Sequence, residues 1–321
     1  MRRTVVVALV AALAAGAAGT AVAAPSAADR KRVVVGTDGY LFIAQDWTVP
    51  CADAGTAAAA GTRIGQVASA LRSSGRPTTV VIAPDKSTVR TGNVVASRVP
   101  SKACAERQKA ALWAEAAKDP GFLDLRKPLS AAGSRYQTYW RKDTHWTPTS
   151  SGVYGQQLAK RLDPLLPPRL ESTSATYHRR GDLATVLEQP ADETVTGTRL
   201  VNPSTTTREA APRDVGLVND VRTTRTTASS LGRLVPGRTV FVGDSMDDVS
   251  VEQLAPLFAE AVFVWITPGE PLAPVLTELK GADRVVLESV ERFGARSRMQ
   301  EPDAVRAVRT LPKKQGSSLV G

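Results

Sequence analysis

Short, unbroken apolar runs that end in polar turns alternate with stretches of helical spacing along most of this chain. The clearest run, residues 78–83, reads Thr-Thr-Val-Val-Ile-Ala and contains no charge. A strand that is buried on both faces has this pattern, whereas a strand with one wet face alternates apolar and polar residues. Further strands are predicted at 121–125, 240–243, 261–266 and 284–287, and helices at 62–73, 103–118, 147–162, 249–259 and 271–279. The alternation predicts an α/β fold with a parallel sheet covered by helices on both sides.

Two parts of the chain depart from this alternation. Residues 188–235 are rich in Thr, Arg, Pro and Asp. We interpret them as an insertion or long loop that packs on the α/β core, with a β-hairpin at 194–201. Residues 301–321 are charged and carry Gly and Ser near their end, which predicts a flexible tail. The α/β domain is therefore expected to occupy residues 24–300.

The first residues have the three parts of a secretory signal. Arg2 and Arg3 supply a basic start, residues 4–18 are small and apolar, and Ala21-Val22-Ala23 has the A-x-A pattern of a cleavage site. We predict a signal peptide at residues 1–23 that is cleaved near Ala23, and hence a secreted or cell-envelope protein. An uncleaved membrane anchor is the alternative, because an uncharged apolar stretch of about 20 residues can span a bilayer.

Charge and cysteine content agree with export. The formal net charge is +10, which in an exported protein favours contact with an anionic envelope or an acidic polysaccharide. Nucleic acid is not expected as a partner, since the sequence lacks a basic patch interleaved with aromatic residues of the kind that binds it. Cys51 and Cys104 are the only cysteines, and an even count in an exported chain predicts one disulfide.

Asp143, His145 and Ser245 stand in contexts that suit a catalytic triad. Ser245 follows an apolar run and Gly243-Asp244, so its hydroxyl is expected at the carboxyl end of a strand, where α/β proteins gather reactive groups. A serine needs a base that takes its proton, and an imidazole needs a carboxylate that holds its tautomer. Asp143 and His145 are two residues apart and would share one face of an extended segment. The structural alternatives are capping roles for Ser245 and Asp143.

Six segments in order resemble the SGNH-hydrolase-like domain of the AlgJ/AlgX family, the alginate O-acetyltransferases and their relatives. They are residues 36–42 (GTDGYLF), 84–86 (PDK), 139–148 (YWRKDTHWTP), 181–183 (GDL), 243–245 (GDS) and 285–292 (VVLESVER). The resemblance covers residues 33–293 and implies a three-layer α/β/α sandwich. It also implies a triad in which Ser245 is the nucleophile, His145 the general base and Asp143 the orienting carboxylate.

The chemistry that the resemblance implies is acyl transfer through an acetylated serine. Five further residues are candidates for binding substrate or the oxyanion: Gly243, Asp244, Lys86, Tyr139 and Trp146. Neither a metal nor a cofactor is predicted, since the chain has only one histidine besides His145.

We therefore expect an exported O-acetyltransferase that acts on a cell-envelope or secreted polysaccharide and receives acetyl from a membrane acyltransferase. An acetylesterase and a non-catalytic glycan-binding or assembly protein are the alternatives. Met246 stands where the family often has Phe, and neither Arg nor Tyr occurs between Ser245 and Asp283. Alginate itself is therefore not assigned as the acceptor.

Overall fold

The computed structural model describes residues 32–52, 56–166, 170–230, 232–293 and 297–314. The signal peptide predicted at residues 1–23 lies outside these described residues. Within them, every helix is too short or too polar to cross a membrane.

The described residues contain eleven strands and eleven α-helices. The strands are β1 (Val33–Val35), β2 (Leu41–Ile43), β3 (Thr78–Ala83), β4 (Phe122–Asp124), β5 (Glu171–Arg180), β6 (Asp192–Val201), β7 (Thr205–Glu209), β8 (Arg222–Ala228), β9 (Val235–Gly243), β10 (Phe258–Trp265) and β11 (Arg284–Val290). The helices are α1 (Gln45–Ala52), α2 (Thr56–Ser73), α3 (Lys86–Val89), α4 (Lys102–Ala116), α5 (Arg126–Ala132), α6 (Pro148–Leu162), α7 (Asp182–Val186), α8 (Ser245–Asp248), α9 (Val251–Leu254), α10 (Ala273–Gly281) and α11 (Pro302–Arg309).

A seven-stranded sheet with the order β4-β3-β11-β9-β10-β8-β7 forms the centre of the fold. The first five strands in this order are parallel to their neighbours, whereas β8 runs antiparallel to β10 and β7 antiparallel to β8. The last strand in sequence, β11, lies between β3 and β9. Because β3, β11 and β9 are parallel, their carboxyl ends meet at one edge of the sheet.

Helices cover both faces of this sheet because successive strand residues point to opposite sides. Val81, Phe241 and Val286 belong to the apolar core that the sheet shares with α6. Val80 and Leu287 belong to the opposite core, which includes apolar residues of α2, α10 and α11. The arrangement is a three-layer α/β/α sandwich and confirms the predicted fold class.

Residues 188–235 contain the strands β6, β7 and β8 and are not a single long loop. Strand β6 contains residues 194–201, so the hairpin predicted there is wrong: β6 pairs along its whole length with β5 in a separate two-stranded antiparallel sheet. We call this sheet the β5–β6 arm. The arm packs on α6 through Leu200 of β6, which belongs to the same apolar core as Tyr154 and Leu158 of α6. Strands β7 and β8 extend the central sheet instead.

The flexible tail predicted from residue 301 is wrong for the described residues 302–314. Helix α11 packs on α2 and buries Ala304, Val305 and Val308, whose spacing places them on one side of a helix. Beyond it, the backbone N–H of Lys314 donates to the carbonyl of Ser74 at 2.9 Å. Residues 315–321 lie outside the described residues.

A disulfide joins α1 to α4 and confirms the predicted pairing of Cys51 with Cys104. The two Cα atoms are 6.0 Å apart, within the usual range for a disulfide. The bond ties the amino-terminal segment to the helical layer over residues that are 53 positions apart.

Candidate active site

Ser245 lies where β9 meets α8, at the carboxyl edge of the central sheet. Asp244 stands at the N-cap position of α8, and its Oδ1 accepts a hydrogen bond from the N–H of Met246 at 3.0 Å. The other oxygen of Asp244 accepts from the N–H of Val290 at 2.7 Å. The turn that presents Ser245 is thus fixed both to its own helix and to the end of β11.

His145 and Asp143 lie on the loop that precedes α6. Tyr139 and Trp146 pair as an isolated antiparallel bridge at the base of this loop, and the residues between them form bends rather than the extended segment that we expected. Asp143 Oδ1 accepts from the backbone N–H of His145 at 2.9 Å, a local turn that aspartate readily forms. This turn places the carboxylate beside the imidazole of His145.

The structure brings Asp143, His145 and Ser245 into one chain of hydrogen bonds. His145 Nδ1 is 2.7 Å from Asp143 Oδ1, and His145 Nε2 is 2.9 Å from Ser245 Oγ. The side chain of His145 is 15% exposed, whereas that of Asp143 is 2% exposed. The arrangement lets the carboxylate hold the proton on Nδ1 and leaves Nε2 to accept the proton of the serine.

Asp182 supports this loop from the start of α7, a role that the sequence analysis did not assign. Its carboxylate accepts from the N–H of Thr144 at 2.8 Å and from the Thr144 hydroxyl at 2.7 Å. The backbone N–H of Asp182 in turn donates to Asp143 Oδ2 at 3.2 Å. The only sequence signal for this residue was its place in the segment 181–183 that carries the family resemblance.

Arg179 of the β5–β6 arm also contacts the site, and nothing in the sequence distinguished it from its neighbours. Its Nε lies 2.8 Å from Asp143 Oδ2 as an ion pair, and one of its terminal nitrogens lies 2.9 Å from His145 Nδ1. His178, the preceding residue, is exposed, and its Nδ1 lies 2.8 Å from the Thr194 hydroxyl. Arg179 is thus the cationic neighbour of the Asp143–His145 pair.

These contacts keep Asp143 ionised. Burial alone would raise the pKa of Asp143, but the hydrogen bond from His145 and the charge of Arg179 hold it well below its usual range. Ligand atoms of Asp143, His145 and Asp182 lie within 4.8 Å of one another, a spacing that a metal ion could use. The guanidinium of Arg179 already supplies positive charge at this carboxylate and would oppose a cation there.

Lys86, Tyr139 and Trp146 are buried beneath the site. Lys86 Nζ donates to the carbonyl oxygens of Leu41 and Asp143 at 2.7 and 2.5 Å, and burial lowers its pKa to about 8. The Tyr139 hydroxyl donates to a backbone carbonyl after β3, and Trp146 Nε1 donates to a buried serine hydroxyl at 3.0 Å. With exposures of 2%, 0% and 1%, these side chains support the loop and offer no surface to a substrate.

Asp244 and Gly243 shape the end of β9. The N–H of Asp244 donates to Glu288 Oε2 at 3.0 Å, which is at odds with the predicted oxyanion role for this group. A Cβ atom on Gly243 would lie 2.6 Å from carboxyl oxygens of both Glu288 and Asp247. Burial, reinforced by Asp244, raises the pKa of Asp247 and of Glu288 well above their usual values. Burial thus favours the uncharged form of both carboxyl groups beside the serine turn.

A second set of buried charges lies at the ends of β3 and β11. Asp85 accepts from Lys109 at 2.7 Å and from Arg292 at 2.8 Å. Asp46 lies 3.7 Å from Arg292 Nη1, and its two buried oxygens have no hydrogen-bond partner among the described residues. Burial, followed by the charge of Asp85, raises the pKa of Asp46 to about 7.

An Asp-His-Ser relay at the carboxyl edge of a three-layer α/β sandwich is the layout of serine-dependent acyl-transfer proteins. The sequence model of the family described as SGNH hydrolase-like domain, acetyltransferase AlgX, matches residues 33–250. The chain belongs to this family. A comparison with curated proteins finds no match.

Several solved structures share this fold. The O-acetyltransferase domain of Pseudomonas putida AlgJ is similar with a TM-score of 0.60 and 20% identity, over 86% of this chain and 98% of that one. Bacillus cereus PatB1 gives a TM-score of 0.56 at 11% identity, over 84% and 98%. Pseudomonas aeruginosa AlgX gives 0.54 at 16% identity, over 87% of this chain and 66% of that one. At these identities the likeness establishes the shared fold.

Proposed function

We propose that this protein is an exported O-acetyltransferase that moves an acetyl group onto hydroxyls of a cell-envelope or secreted polysaccharide. The observation that carries the proposal is the relay of hydrogen bonds from Asp143 through His145 to Ser245, with distances of 2.7 and 2.9 Å. Membership of an acetyltransferase family and a fold shared with an O-acetyltransferase domain support the same reaction class.

In the first half of the reaction, His145 Nε2 takes the proton of Ser245 while Oγ attacks the carbonyl carbon of the acetyl donor. The tetrahedral intermediate collapses to acetyl-Ser245, and the imidazolium returns its proton to the leaving group. Asp143 keeps Nδ1 protonated, so that Nε2 is free to act as the base.

In the second half, a hydroxyl of the acceptor takes the place of the leaving group. His145 removes its proton, the oxygen attacks the acetyl carbonyl, and a second tetrahedral intermediate releases the acetylated acceptor. The proton on His145 then returns to Ser245 Oγ and restores the enzyme. A polysaccharide acceptor yields an O-acetyltransferase, whereas water yields an acetylesterase by the same steps.

The donor and the route of export complete the proposal. An exported enzyme has no access to cytoplasmic acetyl-CoA, so we propose that a membrane acyltransferase delivers the acetyl group. The signal at residues 1–23 is proposed to be cleaved near Ala23, since its basic start, apolar centre and small residues fit signal processing. Determination of the amino terminus of the exported protein tests this step, and a chain that keeps residues 1–23 would instead be membrane-anchored.

Incubation of the mature protein with p-nitrophenyl acetate tests the proposed chemistry. We expect release of p-nitrophenol and a mass increase of one acetyl group on Ser245, and loss of both in Ser245→Ala. A second seryl variant, Ser69→Ala, is the matched control, because Ser69 is exposed on α2 and belongs neither to the relay nor to the buried contacts beneath it. A folded protein with no adduct and a rate equal to that of Ser245→Ala would favour a non-catalytic glycan-binding or assembly protein.

Transfer is distinguished from hydrolysis by offering acceptors to the acetyl-enzyme. Polysaccharides or their oligomers should gain O-acetyl groups at the expense of free acetate if the protein is a transferase. Release of acetate alone, unchanged by any glycan, would assign the protein as an acetylesterase.

A further inference from the structure

Arg179 reaches the site from outside the α/β core. It is the ninth residue of β5, in the β5–β6 arm, and its side chain is 31% exposed. The arm is fixed to the helical layer because the N–H of Thr198 donates to the Thr149 hydroxyl at 2.9 Å. A Cβ on Gly197 would also collide with Thr149. This close contact fixes the distance of the arm from α6, and it thereby fixes the position of Arg179.

The guanidinium contacts Asp143 Oδ2, the carboxylate oxygen that does not contact His145. Asp143 Oδ1 is engaged by the backbone and the ring of His145. Asp143 Oδ2 faces Arg179 Nε at 2.8 Å and the N–H of Asp182 at 3.2 Å. Both carboxylate oxygens therefore have positive or N–H partners, which fixes the plane of the carboxylate against rotation.

The same guanidinium acts on the imidazole by its charge. A terminal nitrogen of Arg179 lies 2.9 Å from His145 Nδ1. Because Nδ1 carries the proton that Asp143 accepts in the proposed relay, the guanidinium acts on the ring by its permanent charge and not as a hydrogen-bond donor. It therefore opposes a second proton on the ring. The other charged groups that face His145 are the carboxylates of Asp143 and of Asp182, the latter through the Thr144 hydroxyl. Arg179 is the one cation that directly contacts the ring among the described residues.

We propose that Arg179 is a positioning residue of the acyl-transfer site: it holds Asp143 in line with His145 Nδ1 and favours the neutral imidazole that can accept the serine proton. The kinetic part of this inference rests on the proposed function. The part that concerns the protonation of His145 does not, because it follows from the charges alone.

Three variants separate this role from simple packing. Arg179→Ala removes both the charge and the contact, Arg179→Lys restores the charge alone, and Arg180→Ala is the matched control. Arg180 is the next residue of β5 and is exposed on the opposite face of the strand. Thermal unfolding of each variant confirms that the comparison is made between folded proteins.

The kinetic readout is hydrolysis of p-nitrophenyl acetate as a function of pH. Arg179→Ala should lower kcat by roughly 10- to 100-fold with little change in KM, because misplacement of a catalytic group impairs the chemical step. The acid limb of its pH–rate profile should move to higher pH, because the positive charge that opposes a second proton on the ring is gone. Arg179→Lys should recover part of the acid-limb position, and Arg180→Ala should match the wild type.

Histidine NMR tests the same idea without any turnover. The chain has two histidines, so a ¹⁵N-histidine spectrum contains one ring in the site and one reference ring, His178, which is exposed. In Arg179→Ala, the His145 ring should gain its second proton at higher pH than in the wild type, while His178 changes little. Arg180→Ala should leave the His145 signal in place.

The outcomes are distinct. Absence of Ser245-dependent turnover in the wild type would overturn the proposed function, while a shifted His145 titration in Arg179→Ala would still support the role of Arg179. An unshifted titration in folded Arg179→Ala, or kcat within about threefold of the wild type in an active enzyme, would overturn the role of Arg179.

Discussion

Replacing Asp143 with Asn tests the proposed role of this carboxylate most directly. Its Oδ1 accepts from the N–H and Nδ1 of His145 at 2.9 and 2.7 Å, and its Oδ2 faces Asp182 N and Arg179 Nε at 3.2 and 2.8 Å. Asparagine has nearly the same shape but exchanges one of these oxygens for an NH₂ group, which only donates. The NH₂ group of the variant must therefore face hydrogen-bond donors, whether it takes the position of Oδ1 or that of Oδ2.

The position that is less unfavourable for the NH₂ group is the one that moves the ring proton of His145 to the wrong nitrogen. An NH₂ group at the Oδ2 position would face a cation and a backbone N–H, and neither can become an acceptor. At the Oδ1 position it would face the backbone N–H of His145 and also His145 Nδ1. Of these two groups, Nδ1 can accept once the ring proton moves to Nε2. That proton then points at Ser245 and removes the base. We expect kcat to fall by about 10³- to 10⁴-fold, or about 4–5.5 kcal/mol, the scale of a tautomer loss in Ser-His-Asp enzymes.

The assay is hydrolysis of p-nitrophenyl acetate by Asp143→Asn, compared with Ser245→Ala as the fully inactive reference. Asp163→Asn is the control, because Asp163 pairs with Arg233 away from the relay and should leave kcat unchanged. Circular dichroism verifies the fold. If folded Asp143→Asn retained more than a tenth of the wild-type kcat, the argument from donor geometry would be refuted.

Three further changes have outcomes set by the fold. Replacing Cys51 and Cys104 with Ser opens a link between residues 53 apart, and the free energy of urea unfolding should fall by about 4 kcal/mol by loop entropy; a loss below about 1 kcal/mol would contradict this. Gly243→Ala should destabilise by about 1–3 kcal/mol, because its Cβ would overlap two carboxyl oxygens at 2.6 Å, whereas Gly92→Ala, which meets no atom within 4 Å, should cost little; equal losses would refute the steric account. Burial raises the pKa of Asp46 from 3.8 to about 7, so the folded protein binds the proton of this carboxyl group more tightly than the unfolded chain does. The contribution of Asp46 to the free energy of unfolding is therefore full below about pH 4 and is lost as the pH rises through 7. Relative to the wild type, Asp46→Asn should therefore gain up to about 4 kcal/mol of unfolding free energy between pH 4 and pH 8, and a pH-independent difference would contradict the assignment.

The strands and helices that the sequence predicted well are those with strong apolar patterns. Strand β3 matches its predicted bounds of 78–83, and all six of its residues are buried, which is the condition that the unbroken run indicated. Helix α6 begins at Pro148 and ends at Leu162, with Thr147 at its N-cap position, as the helix predicted over 147–162 with Thr147 as its cap required. The helix predicted at 249–259 is shorter, since Pro256 cannot donate a helical hydrogen bond and β10 begins at Phe258.

The β5–β6 arm could not be read from local sequence. Strand β5 reads Glu-Ser-Thr-Ser-Ala-Thr-Tyr-His-Arg-Arg and is mostly exposed, so it has no apolar alternation that would mark a strand. Its pairing with β6 joins residues that are up to 30 positions apart in sequence. The arm is thus determined by tertiary contact, and Arg179 was missed for the same reason.

The candidate triad was accessible from sequence because its members follow recognisable elements. Ser245 comes after a predicted strand, and Asp143 and His145 come before a predicted helix with proline at its first turn. The buried side chains that support these three residues were harder to predict from the sequence. Lys86 looked like a substrate contact because it follows a strand, yet the fold buries it against backbone carbonyls.

The position of β11 has a consequence for the timing of assembly during synthesis. This strand is the last of the sheet to be made, and it fills the gap between β3 and β9. Until residue 290 is available, β3 and β9 each have an unpaired edge, and the turn at Ser245 lacks the N–H of Val290 that holds Asp244. Such edges invite pairing with other chains. The central sheet can therefore close only once β11 has been made, after every other strand of the sheet that the structure describes.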